Sequence, residues 1–279
     1  MLTLRFEASR LLAGVSKCIM YNPFPDLTVE YEMRARAVVT HETGKIENVY
    51  ASIEELEEEL REKVTGFEFS NLEIQVEPFF FLVNRIVSTG RILISPELQF
   101  YLCIDRVSRN LRKIRKAELR VIKSRKPEKI CRVNELEGEL LGYPDCCISN
   151  FSKRKRLRNL GKNVKSPEGE IAEEFVNTGY HLLVDRVFSN RALLKDAELP
   201  NSLFTFNFYP CSIKCKKAEK TGERCKNALA EIGEETLFKA GVLSVMCDIL
   251  KLCIKMKRIN GKNRDYCYTN PEEIIRMFI

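Results

Sequence analysis

Four cysteines in two separate segments are the residues of this chain best suited to bind a metal ion. Cys146 and Cys147 follow the sequence Gly-Tyr-Pro-Asp, and Cys211 and Cys215 lie in Phe-Tyr-Pro-Cys-Ser-Ile-Lys-Cys. Each pair therefore follows a Tyr-Pro step. Proline restricts the preceding residue to extended conformations and is common at the first position of a helix, so each step predicts a turn followed by a new helix. In a first helical turn, the backbone N–H groups and the helix dipole favour a thiolate.

The predicted helices would let the four thiols converge. Asp145 is expected to cap the helix that carries Cys146 and Cys147, whereas Cys211 opens a helix that reaches Ile232 and places Cys215 one turn later on the same face. Four such thiolates would suit a [4Fe–4S] cluster or a zinc ion. Cys225 is fourteen residues beyond Cys211, about 21 Å along an unbroken helix, and should not share that site.

The spacing of these cysteines leaves alternatives open. Standard zinc and iron–sulfur sites use Cys-x-x-Cys pairs, which this chain lacks. Adjacent cysteines on a helix diverge by about 100°, so one of the adjacent pair would be a ligand and the other a core residue. Three interpretations remain: a metal or cluster site, a redox or nucleophilic thiol, and buried free cysteines that pack as small apolar residues.

The blocks GYPDCC and FYPCSIKC resemble those of a mainly archaeal family of uncharacterised proteins, catalogued as domain of unknown function 483. The resemblance covers residues 134–233, and none is found for the first hundred residues. It implies that Cys146, Cys147, Cys211 and Cys215 are motif positions of that family. No activity is assigned to the family, so the resemblance implies no catalytic residue.

Positive charge is concentrated beside the cysteine segments. The net charge is +7, and residues 106–129 carry eleven Lys or Arg against two Glu. Lys153, Arg154, Lys214 and Lys216 flank the motifs and are predicted to bind anions or to offset the charge of four thiolates. RNA or another anionic partner is therefore expected. The alternative is a set of solvated helix faces, as in heat-stable proteins.

Composition narrows the class of protein. No apolar run approaches the 18 or so residues that span a bilayer, and the first seven residues carry charges rather than a signal sequence, so a cytoplasmic protein without membrane contact is predicted. Eleven cysteines are an odd number, which argues against a disulfide framework. His41 and His181 are the only histidines, so a metal site here would be dominated by sulfur.

The elements that must position these residues predict an α+β protein. A small N-terminal β-β-α-β module is expected in residues 1–122, and a mainly helical cysteine-motif domain in residues 130–279. The module consists of strands over Val29–Thr40 and Ile46–Tyr50, a helix over Ile53–Val64 and a strand over Asn71–Glu77, because apolar residues alternate in the strands and recur at helical spacing in the helix.

Further elements are predicted from caps and prolines. Pro96 opens a long helix to about Lys116, and residues 203–208 form a strand that runs into Tyr-Pro-Cys. Asn134 and Ser166 are expected to cap helices, the second with proline at its first position.

Three functions follow from these observations. The first is a cytoplasmic protein of unassigned activity with a cysteine-ligated iron–sulfur cluster or zinc ion. The second is an RNA-binding or RNA-modifying protein that uses its basic segments. The third is a metal-free structural protein with buried free cysteines. The sequence contains no glycine-rich phosphate loop, dinucleotide-binding fingerprint or Gly-x-Ser-x-Gly motif, which would have indicated nucleotide binding or a serine hydrolase.

Overall fold

The chain has an α+β fold with a small antiparallel sheet in its N-terminal part and helices thereafter, which confirms the predicted class. A computed structural model describes residues 2–41, 46–69, 71–83, 85–86, 92–203, 210–262 and 264–279. These residues form two compact units. We call residues 16–142 and 155–163 the sheet unit, and residues 1–15, 143–154 and 164–279 the cysteine unit. The division into domains over residues 1–122 and 130–279 stays a prediction.

The sheet unit is built on four antiparallel strands in the order β1-β6-β3-β2. A separate two-stranded ribbon pairs β4 with β5. The elements are β1 (Cys18–Met20), α2 (Pro25–His41), α3 (Ile46–Lys63), β2 (Phe67–Phe69), β3 (Leu72–Phe81), β4 (Arg85–Ile86), β5 (Ile92–Leu93), β6 (Glu97–Cys103), α4 (Ser108–Ser124) and α5 (Ile130–Leu140). A 3₁₀ turn (Pro127–Lys129) precedes α5.

The predicted β-β-α-β order is wrong because its first two strands are helical. The segment predicted as a strand over Val29–Thr40 lies within α2, where Tyr31 and Ala35 are buried and Met33 is exposed. The Glu and Arg residues that alternate with apolar residues in this segment are strong helix formers. They also pair at i,i+4, as Arg36 does with Glu32. The strand predicted over residues 46–50 is the first part of α3.

The helix predicted over residues 53–64 and the strand predicted over residues 71–77 are confirmed, although each is longer. The helical spacing of buried residues in α3 begins at Val49 and continues through Ile53, Leu56 and Leu60. Residues 42–45, between the two segments wrongly predicted as strands, lie outside the described residues. The strand predicted over residues 203–208 does so as well, except for Leu203, which ends a 3₁₀ turn.

The helix predicted from Pro96 is also wrong, since β6 occupies the start of that range and α4 begins only at Ser108. β6 is paired on both edges by β1 and β3, and four of its residues in succession, from Phe100 to Cys103, are buried. A strand covered on both faces gives an apolar run that periodicity does not distinguish from a helix. Asn134 does not cap α5, because its amide donates to the carbonyl of Ile130 inside that helix.

The sheet unit also contains one disulfide, although the odd number of cysteines argues against a disulfide framework. Cys18 of β1 lies opposite Cys103 of β6, and the two are joined. The other nine cysteines form no disulfide. The pairing register of two distant strands, rather than any local spacing, creates this bond.

The described secondary structure of the cysteine unit consists of helices joined by loops. It comprises α1 (Leu2–Leu12), the start of α6 (Asp145–Asn159), α7 (Pro167–Asn177), α8 (Tyr180–Ser189), α9 (Lys216–Glu231), α10 (Glu235–Lys255) and α11 (Pro271–Phe278). Ser166 caps α7 as predicted, since its hydroxyl accepts from the N–H of Gly169 at 3.1 Å. α10 is buried on most faces and forms the centre of the core. None of the described helices combines the length and apolar character that crossing a bilayer requires.

Candidate metal centre

The four cysteines singled out in the sequence come together inside the cysteine unit. The Sγ atoms of Cys146, Cys147, Cys211 and Cys215 all lie within 4.8 Å of one another. The distances are 3.9 Å between Cys146 and Cys147, 3.6 Å between Cys146 and Cys215, and 3.8 Å between Cys147 and Cys215. Four thiols in this arrangement could hold a metal.

The first pair lies in the opening turn of α6, as predicted. The carbonyl of Pro144 accepts hydrogen bonds from the N–H groups of Cys147 at 2.8 Å and Ile148 at 3.0 Å. Proline therefore starts the helix and supplies its first acceptor. Adjacent side chains on a helix point in different directions. The thiols of Cys146 and Cys147 nevertheless both lie close to Cys215, because the loop before α9 approaches the N-terminal end of α6.

The second pair is not helical at Cys211, which corrects the predicted helix from Cys211 to Ile232. Residues 211–215 form a loop, Cys215 is the N-cap residue of α9, and the helix begins at Lys216. Glu174 of α7 holds this loop, since its carboxylate accepts from the Ser212 hydroxyl at 2.7 Å and from the N–H of Ile213 at 2.9 Å.

Local hydrogen bonds explain why the helix starts late. The Ser212 hydroxyl accepts from the N–H of Lys214 at 3.0 Å, and the Ser212 carbonyl accepts from the N–H of Cys215 at 3.0 Å. A serine that bonds its own neighbouring backbone stabilises a turn at the expense of a helix. Sequence analysis missed Glu174, because no local signal links it to a loop that is 38 residues away in the chain.

Cys147 and Cys215 are buried, whereas Cys146 and Cys211 are half-buried, and the neighbouring thiols change one another's pKa. Burial raises the pKa of Cys147 far above its ordinary value, and burial together with the Cys215 thiol raises the pKa of Cys211 to about 12. For Cys215, burial opposes ionisation, but the N–H of Ala218 and the neighbouring thiols outweigh it, so its pKa is lowered. A metal ion that binds four thiolates here must displace protons.

Backbone and side-chain donors partly balance negative charge at this site. The N–H of Cys211 points to the sulfur of Cys147 at 3.4 Å. The ammonium of Lys217 lies 3.8 Å from the carboxylate of Asp145 and so links the first turn of α9 with that of α6. Sequence analysis missed Lys217, although it belongs to the same basic run as Lys216.

The four predicted anion-binding residues differ in their surroundings. Lys153, Lys214 and Lys216 are exposed. Arg154 forms an ion pair with Glu170, and it donates hydrogen bonds to the Asn150 side chain and to the carbonyl of Lys165. A carboxylate thus already neutralises the Arg154 guanidinium. Anion binding by this set stays a prediction.

The remaining free cysteines of this unit pack in its core. Cys225, Cys247, Cys253 and Cys267 are fully buried among apolar side chains. Burial raises the pKa of each thiol, as expected for inert packing cysteines. Among the described residues, neither Cys225 nor His181 joins the group of four thiols.

Comparisons with known proteins agree with the sequence resemblance. The family described as Protein of unknown function (DUF483) matches residues 96–236, which is just over half of the chain and contains all four cysteines. The uncharacterized protein MJ1106 of Methanocaldococcus jannaschii is 34% identical over 92 residues. That match covers 33% of this chain and 39% of the relative's length. No solved structure matches the chain.

Proposed function

We propose that this chain, which belongs to the DUF483 family of proteins of unknown function, binds one zinc ion through Cys146, Cys147, Cys211 and Cys215. The mutual approach of four sulfurs to within 4.8 Å carries the proposal. Tetrahedral sites with four sulfur ligands are typical of zinc or iron.

The distances between sulfurs favour one metal ion over an iron–sulfur cluster. Zinc binds thiolate at about 2.3 Å, so the sulfurs of a tetrahedral site lie about 3.8 Å apart. The three distances between Cys146, Cys147 and Cys215 are 3.6 to 3.9 Å. In a [4Fe–4S] cluster each thiolate binds a different iron ion, so the ligand sulfurs must lie farther apart than sulfurs that share one metal.

A centre with four protein ligands is expected to be structural. Catalytic zinc sites keep a position open for water or substrate, whereas four cysteines close the coordination sphere. The ion would fasten the first turn of α6 to the loop before α9, two segments that are 64 residues apart at Cys147 and Cys211. We therefore propose that the metal fixes the fold of the cysteine unit.

Elemental analysis of the purified full-length protein tests this proposal. We expect one zinc per chain and, after exchange with Co²⁺, the visible absorption of a tetrahedral cobalt–thiolate complex. Iron with acid-labile sulfide in place of zinc would overturn the choice of metal. A folded protein that binds neither zinc nor cobalt would overturn the site itself.

We also propose that the sheet unit binds RNA through the exposed face of α4. Ten of the eleven basic residues in residues 106–129 are exposed, whereas Arg115 is buried. Six of them repeat at helical spacing on α4 over about 21 Å, and they are Arg109, Arg112, Lys113, Lys116, Arg120 and Lys123. Lys123 is paired with Glu47. The other five support contacts with a phosphate backbone, because each phosphate that a Lys or Arg neutralises releases condensed counterions.

The salt dependence of RNA binding tests this second proposal. Five phosphate contacts to a single strand predict a slope of about −3.5 in log K against log salt. Replacing Lys113, Lys116 and Arg120 with Gln should reduce that slope by about 2. The control replaces Lys195, Lys255 and Arg258 with Gln, which removes the same charge from exposed positions of the cysteine unit and should leave the slope unchanged. Equal losses in both variants would reject α4 as the binding face.

A further inference from the structure

A cleft in the cysteine unit lies outside the metal centre and has a volume of about 530 Å³. One wall is the face of α8 that carries His181, Asp185 and Ser189 at i, i+4 and i+8. The other wall lies in the segment after α10 and consists of Ile259, Asn260, Lys262, Arg264 and Tyr266. The volume lies within the range of small-molecule sites, about 300 to 1,000 Å³.

The second wall is held rigidly against the first. Asp185 accepts two hydrogen bonds from the guanidinium of Arg264, at 3.2 Å from Nε and 3.0 Å from Nη2, and a third from the hydroxyl of Tyr266. Tyr266 stacks on Phe188 of α8 with ring centroids 4.0 Å apart. Because the lining side chains are already oriented, a ligand would lose little free energy in ordering the site.

Gly261 allows the segment after α10 to pack closely against α10. A Cβ atom at Gly261 would lie 2.5 Å from the Cγ2 atom of Ile254 on α10, so glycine is the residue that fits at this position. The Asn260 side chain accepts from the N–H of Lys262 at 3.0 Å and closes a turn. The segment is therefore packed on α10 as well as on α8.

The cleft presents unused donors and excess positive charge. A guanidinium has five N–H donors; Arg264 uses two on Asp185, and no described residue accepts from the other three. Asp185 offsets the charge of Arg264, but the exposed ammonium of Lys262 has no carboxylate partner among the described residues. Asp185, the one carboxylate among the described lining residues, already accepts from three donors, which leaves it little capacity to bind a cation.

His181 adds a further donor. Its Nδ1 atom is buried and has no hydrogen-bond partner in the described part of the chain. An unpaired buried acceptor costs less than an unpaired buried N–H, so the tautomer with its N–H at Nε2 fits this position. Nε2 is then the nitrogen that can donate to a molecule in the cleft.

From these contacts we infer that the cleft binds the oxyanion group of a small organic phosphate or carboxylate. Arg264, Lys262 and His181 donate to the oxygens, and the remaining volume accepts the organic part beside Ile259 and Tyr266. This inference does not depend on the zinc site or on RNA binding.

Histidine NMR tests the inference with a built-in control. In the protein as purified, labelled at the histidine Cε1 carbon, His41 and His181 give two signals, which the variant His41→Asn assigns. Inorganic phosphate and acetate are titrated separately at constant ionic strength. We expect the His181 signal to shift saturably while the His41 signal stays in place. A response to phosphate alone identifies a phosphate ligand, and a response to acetate alone identifies a carboxylate ligand.

Two exposed lysines provide matched variants. Lys262→Gln removes a charge-assisted hydrogen bond and should raise the apparent Kd about tenfold. Lys255→Gln removes the same charge from α10, outside the cleft, and should leave the Kd unchanged. The inference is overturned if neither anion shifts the His181 signal, if both histidine signals drift together without saturation, or if Lys262→Gln binds like the unaltered protein.

Discussion

Removing one thiol from each cysteine segment should release the metal and destabilise the cysteine unit. The double variant Cys147→Ala with Cys215→Ala leaves one sulfur on α6 and one in the loop before α9. Two thiolates cannot complete a tetrahedral zinc site, so the variant should purify without zinc.

The size of the effect follows from the chain length that the metal closes. Cys147 and Cys211 are 64 residues apart, and cross-linking a loop of that length lowers the entropy of the unfolded chain by an amount worth about 4 kcal/mol at 25 °C. For a unit of this size, that loss should lower Tm by about 10 °C. The lost packing of two small side chains adds about 1 kcal/mol each.

A matched variant separates loss of the metal from loss of packing. Cys225→Ala with Cys247→Ala removes two fully buried thiols from the core of the same unit, so it should lower the free energy of unfolding by only about 2 kcal/mol. Zinc content is measured by mass spectrometry, and stability by chemical denaturation with and without a chelator. The chelator should destabilise the unaltered protein and the core variant but not the ligand variant.

Two results would refute this reasoning. One is a ligand variant that keeps one zinc per chain, because the metal would then be held elsewhere. The other is equal destabilisation of the ligand variant and the core variant, with no effect of the chelator on the unaltered protein. In that case the four thiols are packing residues, as the metal-free interpretation of the sequence proposes.

Three further predictions concern the fold. Glu118→Ala leaves the N–H groups after β3 and the Tyr50 hydroxyl without their acceptor, so denaturation should show a loss of about 3 kcal/mol. Burial raises the pKa of Glu118 in the folded protein. The stability that this shift contributes is therefore full below the pKa of a carboxyl group in the unfolded chain, and it is lost as pH rises through the higher pKa of the folded state. Glu118→Gln should abolish this pH dependence. Ser166→Ala removes the cap of α7 and should cost about 1 kcal/mol. Gly261→Ala should lower thermal stability by about 1 to 3 kcal/mol, because its Cβ meets Ile254, whereas an unchanged Tm would contradict that contact.

Local sequence predicted the elements whose signals lie within one or two turns. Ser166 followed by proline marked the start of α7, and Pro144 marked the start of α6, because capping and φ restriction act between neighbouring residues. The same approach failed for α2, where alternating residues matched a strand pattern, and for β6, where an apolar run matched a helix. For β6, the partners that cover each face decided the outcome, and these partners lie far away in the chain. For α2, helix-forming Glu and Arg residues and their i,i+4 pairs outweighed the alternating pattern.

The sequence by itself determined which side chains are available: four thiols beside two Tyr-Pro steps, a basic segment that became α4, and only two histidines. Tertiary structure alone decided that the four sulfurs meet, that Glu174 reaches the loop at Ser212, and that Asp185 meets Arg264 from 79 residues away. The physical reason is the difference in sequence separation over which the interactions act. Propensities, caps and turns are set by adjacent residues, whereas a site is set by packing and hydrogen bonds that form only after distant segments have folded together.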